Sequence, residues 1–287
     1  MEKSVTAFCP GHISGYFLPV LGDDPARTGS LGAGMVIQEG VSVRVTPSED
    51  HGILARRTGP GGLILEEFCE SPPLSYLAAK FPGTFRIETT CRLPIGAGFG
   101  LSAAALMALA FALNVICRTH FTFRQCCQYA HEAEILHRTG LGDVAACQDG
   151  GRDYRLGPGV GAEIIRYHDL RIPVYAVTFG PLPSPGILGS EKALDQIARA
   201  YPDRRPDSPE EFFRLSRTFA EGSGLMSPAV REVLSACDRE GVYASMTMLG
   251  NGVFGLGKRA AEVLGSYGDV FELRLASAGV RITGEGP

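Results

Sequence analysis

Between Leu93 and Ala105 the chain reads Leu93-Pro94-Ile95-Gly96-Ala97-Gly98-Phe99-Gly100-Leu101-Ser102-Ala103-Ala104-Ala105, with glycine at three alternate positions and an alanine-rich run directly after. Glycines let a backbone turn tightly and approach a ligand closely, and the first turn of a helix leaves N–H donors unpaired. Together they make a cradle for phosphate groups. Ser102 falls in that first turn, where its hydroxyl reaches a phosphate or the magnesium ion that rides on it. Two common phosphate loops do not fit. A Walker A loop needs Gly-x-x-x-x-Gly-Lys-Ser/Thr, but Leu101 stands at its sixth position from Gly96 and the lysine is missing. The dinucleotide fingerprint Gly-x-Gly-x-x-Gly fails because the third glycine comes one position early, at Gly100. Taken alone, the pattern also describes a close-packed turn before a buried helix.

Side chains suited to phosphoryl transfer follow. Magnesium is a hard cation that takes oxygen ligands, and Ser102 and Glu134 offer them. Glu134 lies on an expected helix, Thr122–Arg138, where an i,i+4 pairing with Arg138 is the alternative. His131 shares its face one turn earlier. Asp143 opens a short helical stretch after Gly142 and suits either a cap or a group that orients an attacking hydroxyl. Arg152 and Arg155 follow Gly150-Gly151 in an expected strand. An arginine fork grips a carboxylate at two points; Arg152 is expected on the surface. His12 and Ser14, after Pro10-Gly11, are expected on the floor of a pocket or in a Pro-Gly turn that uses them locally.

The elements that must position these groups are legible in outline. Strands are expected at Val5–Cys9, Val41–Val45, Thr84–Thr90 and Val174–Phe179, helices at Ser102–Arg118 and Thr122–Arg138, and a loop at Gly180–Gly186. Further helices fall near Ser190–Ala200, Ser208–Glu221 and Ser227–Arg239. A helix ending near Leu249, the glycine-rich Asn251–Gly257, a helix from Lys258 and strands near Val270–Leu275 and Val280–Ile282 complete the chain. Strand and helix runs separate rather than alternate strictly, which favours an α+β fold of two domains, 1–165 and 166–287.

Composition narrows the function. Of 287 residues, 45% are hydrophobic and 20% charged, which suits a folded chain with ample core. The net charge of −4 gives no field to hold a polyanion, so nucleic acid is not the expected partner. Eight cysteines include no Cys-x-x-Cys pair, and Met1-Glu2-Lys3-Ser4 leads into Val5-Thr6-Ala7-Phe8 without a basic segment before an apolar one. A cytoplasmic protein with reduced, packed cysteines is expected. The apolar Leu101–Cys117 reads as a buried helix, not as a membrane span.

The loop Pro-x-Gly-x-Gly-x-Gly-x-Ser-Ala-Ala resembles the second motif of the GHMP kinase superfamily, named for galactokinase, homoserine kinase, mevalonate kinase and phosphomevalonate kinase. Phe8-Cys9-Pro10-Gly11-His12-Ile13-Ser14-Gly15-Tyr16-Phe17 stands in the place of its first motif, and Met248-Leu249-Gly250-Asn251-Gly252-Val253-Phe254-Gly255 in that of its third. The third motif, together with Thr28-Gly29-Ser30-Leu31-Gly32-Ala33-Gly34 and Gly140-Leu141-Gly142-Asp143-Val144-Ala145-Ala146, is similar to the archaeal branch that phosphorylates pantoate. Two departures are Gly252, where that branch has threonine, and Leu31, where a basic residue is common.

The resemblance implies an N-terminal domain like domain 2 of ribosomal protein S5 and a C-terminal ferredoxin-like α/β sandwich. It implies ATP and Mg2+, and transfer of the γ-phosphoryl group to the 4-hydroxyl of pantoate in coenzyme A biosynthesis. ATP would lie on Pro94, Gly96, Ala97, Gly98, Phe99, Gly100, Leu101, Ser102 and Ala103. Glu134 would share the metal with Ser102, and Asp143 would act as base or orienter. Pantoate would meet Ser30, His131, Arg155 and His12. The resemblance further implies a homodimer. Alternatives are a related kinase acting on homoserine or mevalonate, and a non-catalytic nucleotide-binding regulator on the same scaffold.

Overall fold

The computed structural model describes residues 3–169, 171 and 173–286; Met1, Glu2, Leu170, Ile172 and Pro287 lie outside the described residues. With them fall the two outer ends of the expected domains.

Two long strands begin the chain, β1 (Ser4–Val20) and β2 (Gly29–Pro47). Both carry apolar residues on alternate positions at their outer ends and small residues midway. Pro10-Gly11 therefore sits inside a strand. The ladder accommodates it by shifting register between Pro10 and Gly11, and again between Ser14 and Tyr16. Such bulges re-aim neighbouring side chains. The hairpin β3 (Gly52–Thr58) and β4 (Ile64–Phe68) follows, then α1 (Pro72–Ala78) and β5 (Phe85–Cys91). Next come α2 (Leu101–Cys117) and α3 (Phe123–Leu136), the latter started by a capping box between Thr122 and Gln125. The short α4 (Asp143–Ala146), β6 (Arg152–Arg155) and β7 (Ile164–Tyr167) close this half.

The second half holds β8 (Val174–Thr178), α5 (Ser184–Leu188), α6 (Glu191–Ala200), α7 (Pro209–Gly222) and α8 (Pro228–Arg239). Serine caps α6, α7 and α8 at Ser190, Ser208 and Ser227. It continues with β9 (Ala244–Met246), β10 (Gly252–Leu256), α9 (Lys258–Leu264), β11 (Phe271–Leu273) and β12 (Arg281–Gly286). Three local expectations are corrected here. The segment before Leu249 is strand β9, because its apolar residues are buried on both faces. The glycine-rich run after it is strand β10, and the loop after Phe179 contains the short helix α5.

The first sheet runs β12-β1-β2-β5-β3-β4, and β6 extends the ladder from β2 to β7; the second runs β11-β8-β10-β9. Neighbours are antiparallel except β3 and β5. Sheet membership changes between Tyr167 and Val174, but β12 returns to pair with β1, residues 4–8 against 281–286. α2 packs across β1 and β2, and α7 bridges β1 to β9. Most side chains of α2 are buried, as its high hydrophobicity requires. No helix among the described residues is long and apolar enough to cross a membrane. All eight cysteines are free, and only Cys69 is exposed.

Candidate active site

β5 delivers the chain to the glycine loop, and α2 carries it away. Gly96, Gly98 and Gly100 take φ of 76°, 83° and 63°, the left-handed region that glycine enters without cost. Gly100 is itself the residue before α2. A side chain at Gly98 would lie 2.8 Å from the Met248 carbonyl, and one at Gly100 would lie 2.8 Å from the backbone nitrogen of His12. The loop is clamped from both sides. His12 N–H donates to the Phe99 carbonyl at 2.9 Å, and the Thr247 hydroxyl donates to the Ala97 carbonyl at 3.0 Å. The three motifs, far apart in sequence, thus meet backbone to backbone.

They enclose a cavity of about 360 Å³. Gly96, Gly98, Phe99, Gly100, Leu101 and Ser102 line one wall; His12, Ser14, Ser30, Gly142 and Asp143 line another; Pro181–Pro185 and Met248–Leu249 close it. Of the residues expected on ATP, Pro94, Ala97 and Ala103 are not in the wall. Ala97 and Ala103 are buried behind the loop, whose turn faces their side chains inward.

Asp143 sits at the start of α4 with its side chain 21% exposed. Its Oδ1 accepts from His12 Nδ1 at 2.7 Å and from Ser14 Oγ at 3.4 Å. On its other side His12 Nε2 meets Asp153 Oδ1 at 2.8 Å, and Asp153 Oδ2 is paired with Arg155. Burial presses the His12 proton off, but Asp153 and Asp143 outweigh it and raise the imidazolium to about 10. Burial likewise raises Asp153, and Arg155 and His12 reverse this and hold it far below the usual carboxylate range.

Glu134 is wholly buried beside this group and does not pair with Arg138. His131 Nδ1 lies 3.0 Å from its Oε2, and the Val144 N–H donates to its Oε1 at 3.4 Å. Burial pushes the Glu134 carboxyl up, His131 pulls it down, and Asp143 pushes it up again. The two carboxylates converge on Gly140: a side chain there would come within 2.5 Å of Glu134 Oε1 and 3.3 Å of Asp143 Oδ2. Glu134 Oε1 and the Ser102 hydroxyl on the cavity wall are hard oxygen donors of the kind that magnesium takes.

The other expected residues take these places in the geometry. His12 has both ring nitrogens engaged by carboxylates, leaving none for an acceptor. His131 likewise uses Nδ1 on Glu134 and Nε2 on the Thr28 carbonyl, at 2.9 Å, and lies outside the cavity wall. Arg152 is not a surface residue. It is fully buried, held by Asp169 at 2.7 Å and stacked 4.6 Å over the Tyr167 ring. Arg155 is buried behind Gly142 and Ser30, with its Nε lacking a hydrogen-bond partner. Asp153, absent from the sequence reading, joins the groups. Its signal is slight: an acid between two arginines in a short strand.

The segment 68–151 matches the family model described as the GHMP kinases N terminal domain. Over 278 residues the chain is 48% identical to a protein of Methanospirillum hungatei named pantoate kinase, covering 97% of this chain and 96% of that one. A protein of Thermococcus kodakarensis with the same name is 32% identical over 269 residues, covering 88% and 87%. A solved structure described as a phosphotransferase related to the CoA biosynthesis pathway superposes with a TM-score of 0.77 at 27% identity, covering 98% of both chains. Homoserine kinase from Cytophaga hutchinsonii shares the fold, with a TM-score of 0.63 at 19% identity over 99% of this chain and 98% of that one. The glycine loop before α2 and this two-sheet architecture, with these relatives, define a small-molecule kinase, and the chain belongs to the GHMP kinase family. Within that family it matches the proteins named pantoate kinase along nearly their whole length.

Proposed function

We propose that this chain transfers the γ-phosphoryl group of ATP to the 4-hydroxyl of pantoate, a step of coenzyme A biosynthesis. The observation that carries the reading is the single cavity shared by the glycine loop, Ser102, Asp143 and Ser30. Backbone N–H groups of residues 96–102 and the amino end of α2 hold the triphosphate. Ser102 and Glu134 would hold Mg2+, which would supply positive charge to offset the negative charge of the phosphates. His131 acts indirectly, keeping Glu134 oriented.

The acceptor lies on the Ser30 and Gly142 side. The unpaired Nε of Arg155 and the Ser30 hydroxyl, both crowded against bare Gly142, are the donors for its carboxylate. Its hydroxyl points at Asp143, whose Oδ2 faces Gly140 while Oδ1 is taken by His12. The hydroxyl oxygen bonds to the γ-phosphorus, the bond from that phosphorus to the β–γ bridging oxygen breaks, and the hydroxyl proton passes to Asp143. We infer a cytoplasmic enzyme with small-molecule partners. We infer two domains, 1–165 and 166–287, near the change of sheet after Tyr167, with β12 returning to the first sheet, and light scattering tests the homodimer that the resemblance implies.

The test is ADP release with pantoate, mevalonate, homoserine or no acceptor, each with and without magnesium. Turnover with pantoate that needs magnesium is expected. Turnover with homoserine or mevalonate alone overturns the acceptor; ATP binding without turnover on any acceptor favours a regulator. Replacing Arg155 by Met is expected to raise the KM for pantoate far more than that for ATP, and equal effects would remove it from the acceptor pocket.

A further inference from the structure

We propose that Asp153 is a positioning residue that couples the acceptor's carboxylate grip to the group that orients its hydroxyl, holding Arg155 with one oxygen and His12, and through it Asp143, with the other. The proposal rests on the phosphotransfer reading above. Its geometry is a chain of alternating charges, Arg155, Asp153, His12 and Asp143, in which each member touches the next. Arg155, Asp153 and His12 are each 1% exposed; Asp143 and His12 border the cavity, while Asp153 and Arg155 stand behind its wall.

The sheet is built to allow this contact. β2 lies between β1, which carries His12, and β6, which carries Asp153. In register, Gly34 of β2 stands opposite Asp153 and opposite Ser14. A side chain at Gly34 would collide with Nε2 and Cε1 of the His12 ring. The imidazole therefore crosses β2 through the gap that glycine leaves, and ends on Asp153.

The stoichiometry of hydrogen bonding sets the consequence. A neutral imidazole has one N–H, whereas this ring faces carboxylate oxygens at both nitrogens and donates to both as an imidazolium. The charged groups around it are Asp143 and Asp153, with Arg155 behind Asp153 and the Cys147 thiol nearby. An imidazolium fixed in this way occupies Oδ1 of Asp143 and leaves Oδ2 for the acceptor hydroxyl. Asp153 thus acts on turnover through His12 and on acceptor affinity through Arg155.

The experiment compares native enzyme, Asp153→Asn and Gly34→Ala by steady-state kinetics and thermal unfolding. Asp153→Asn is expected to lower kcat about 100-fold and raise the acceptor KM about tenfold, with the ATP KM within about threefold. Gly34→Ala adds a methyl without removing a charge. It is expected to lower kcat about tenfold or more while the acceptor KM stays within about threefold, because Arg155 keeps Asp153. Variants that lose stability alone, or that move both KM values together, overturn the coupling. A further readout needs neither variant nor acceptor: 15N-labelled histidine in the native chain, with His12 assigned by its loss in His12→Gln. Protons on both ring nitrogens at about pH 7–8 are expected, and a neutral tautomer overturns the inference even where the acceptor reading stands.

Discussion

Raising the pH should remove the charge from His12 and destabilise the fold, to an extent the structure fixes. The ring's ordinary value of 6.5 is raised to about 10 in the folded chain. At ~1.4 kcal/mol per pH unit this amounts to about 5 kcal/mol, with no solvent discount for a fully buried ring. A raised value means the folded state holds the proton more tightly. The stabilisation is therefore complete below about pH 6.5 and is lost progressively as pH rises toward 10. The buried thiols Cys91 and Cys126, raised to about 11, and Cys127, raised to about 12, act in the same direction above the usual thiol range. Native enzyme and His12→Gln share those thiols, so the difference between the two isolates the ring. Urea unfolding at pH 6, 7.5, 9 and 10 measures it. The native chain is expected to be about 3–5 kcal/mol more stable than the variant at neutral pH, where the variant leaves Asp143 without its cation and Asp153 with Arg155 alone. The gap should close toward pH 10. A gap of the same size at pH 6 and pH 10 would refute the charged ring and the network drawn around it.

Gly98→Ala puts a side chain at a φ of 83° and 2.8 Å from the Met248 carbonyl. A loss of about 2–4 kcal/mol in stability and a roughly tenfold higher KM for ATP are expected; an unchanged KM would take this loop off the phosphates. Asp143→Asn should cut kcat by about 100-fold or more while calorimetry shows ATP affinity within about threefold, and near-native turnover would end its role. Arg152→Met breaks the pair with Asp169 and the stack on Tyr167. About 2–4 kcal/mol should be lost in denaturant titration with both KM values unmoved; a selective rise in the acceptor KM would instead place Arg152 at the site.

The helices and the glycine loop were legible because their signals are local. Thr122 with Gln125 starts α3, and α2 is apolar on every face because the fold covers every face. The strands at the motifs were harder to read. Pro10-Gly11 has the chemistry of a turn, and only pairing with β2 on one side and the packed loop on the other keeps it extended. β9 is too short and too completely buried for a period of two to appear, so its apolar residues read as a helix.

What the sequence by itself determined is the set of candidate groups and the places where backbone must come close: three glycines before α2, Ser102, Glu134, Asp143 and Arg155. Glycine spacing and residue type are properties of the chain, and the conformations they permit are nearly independent of what lies across the fold. The partner of each charge was decided by tertiary structure alone. His12 and Asp153 are 141 positions apart and meet because β2 runs between their strands with no side chain at Gly34. Ionisation of a buried group is set by such neighbours and by the loss of water, neither of which is written along the chain.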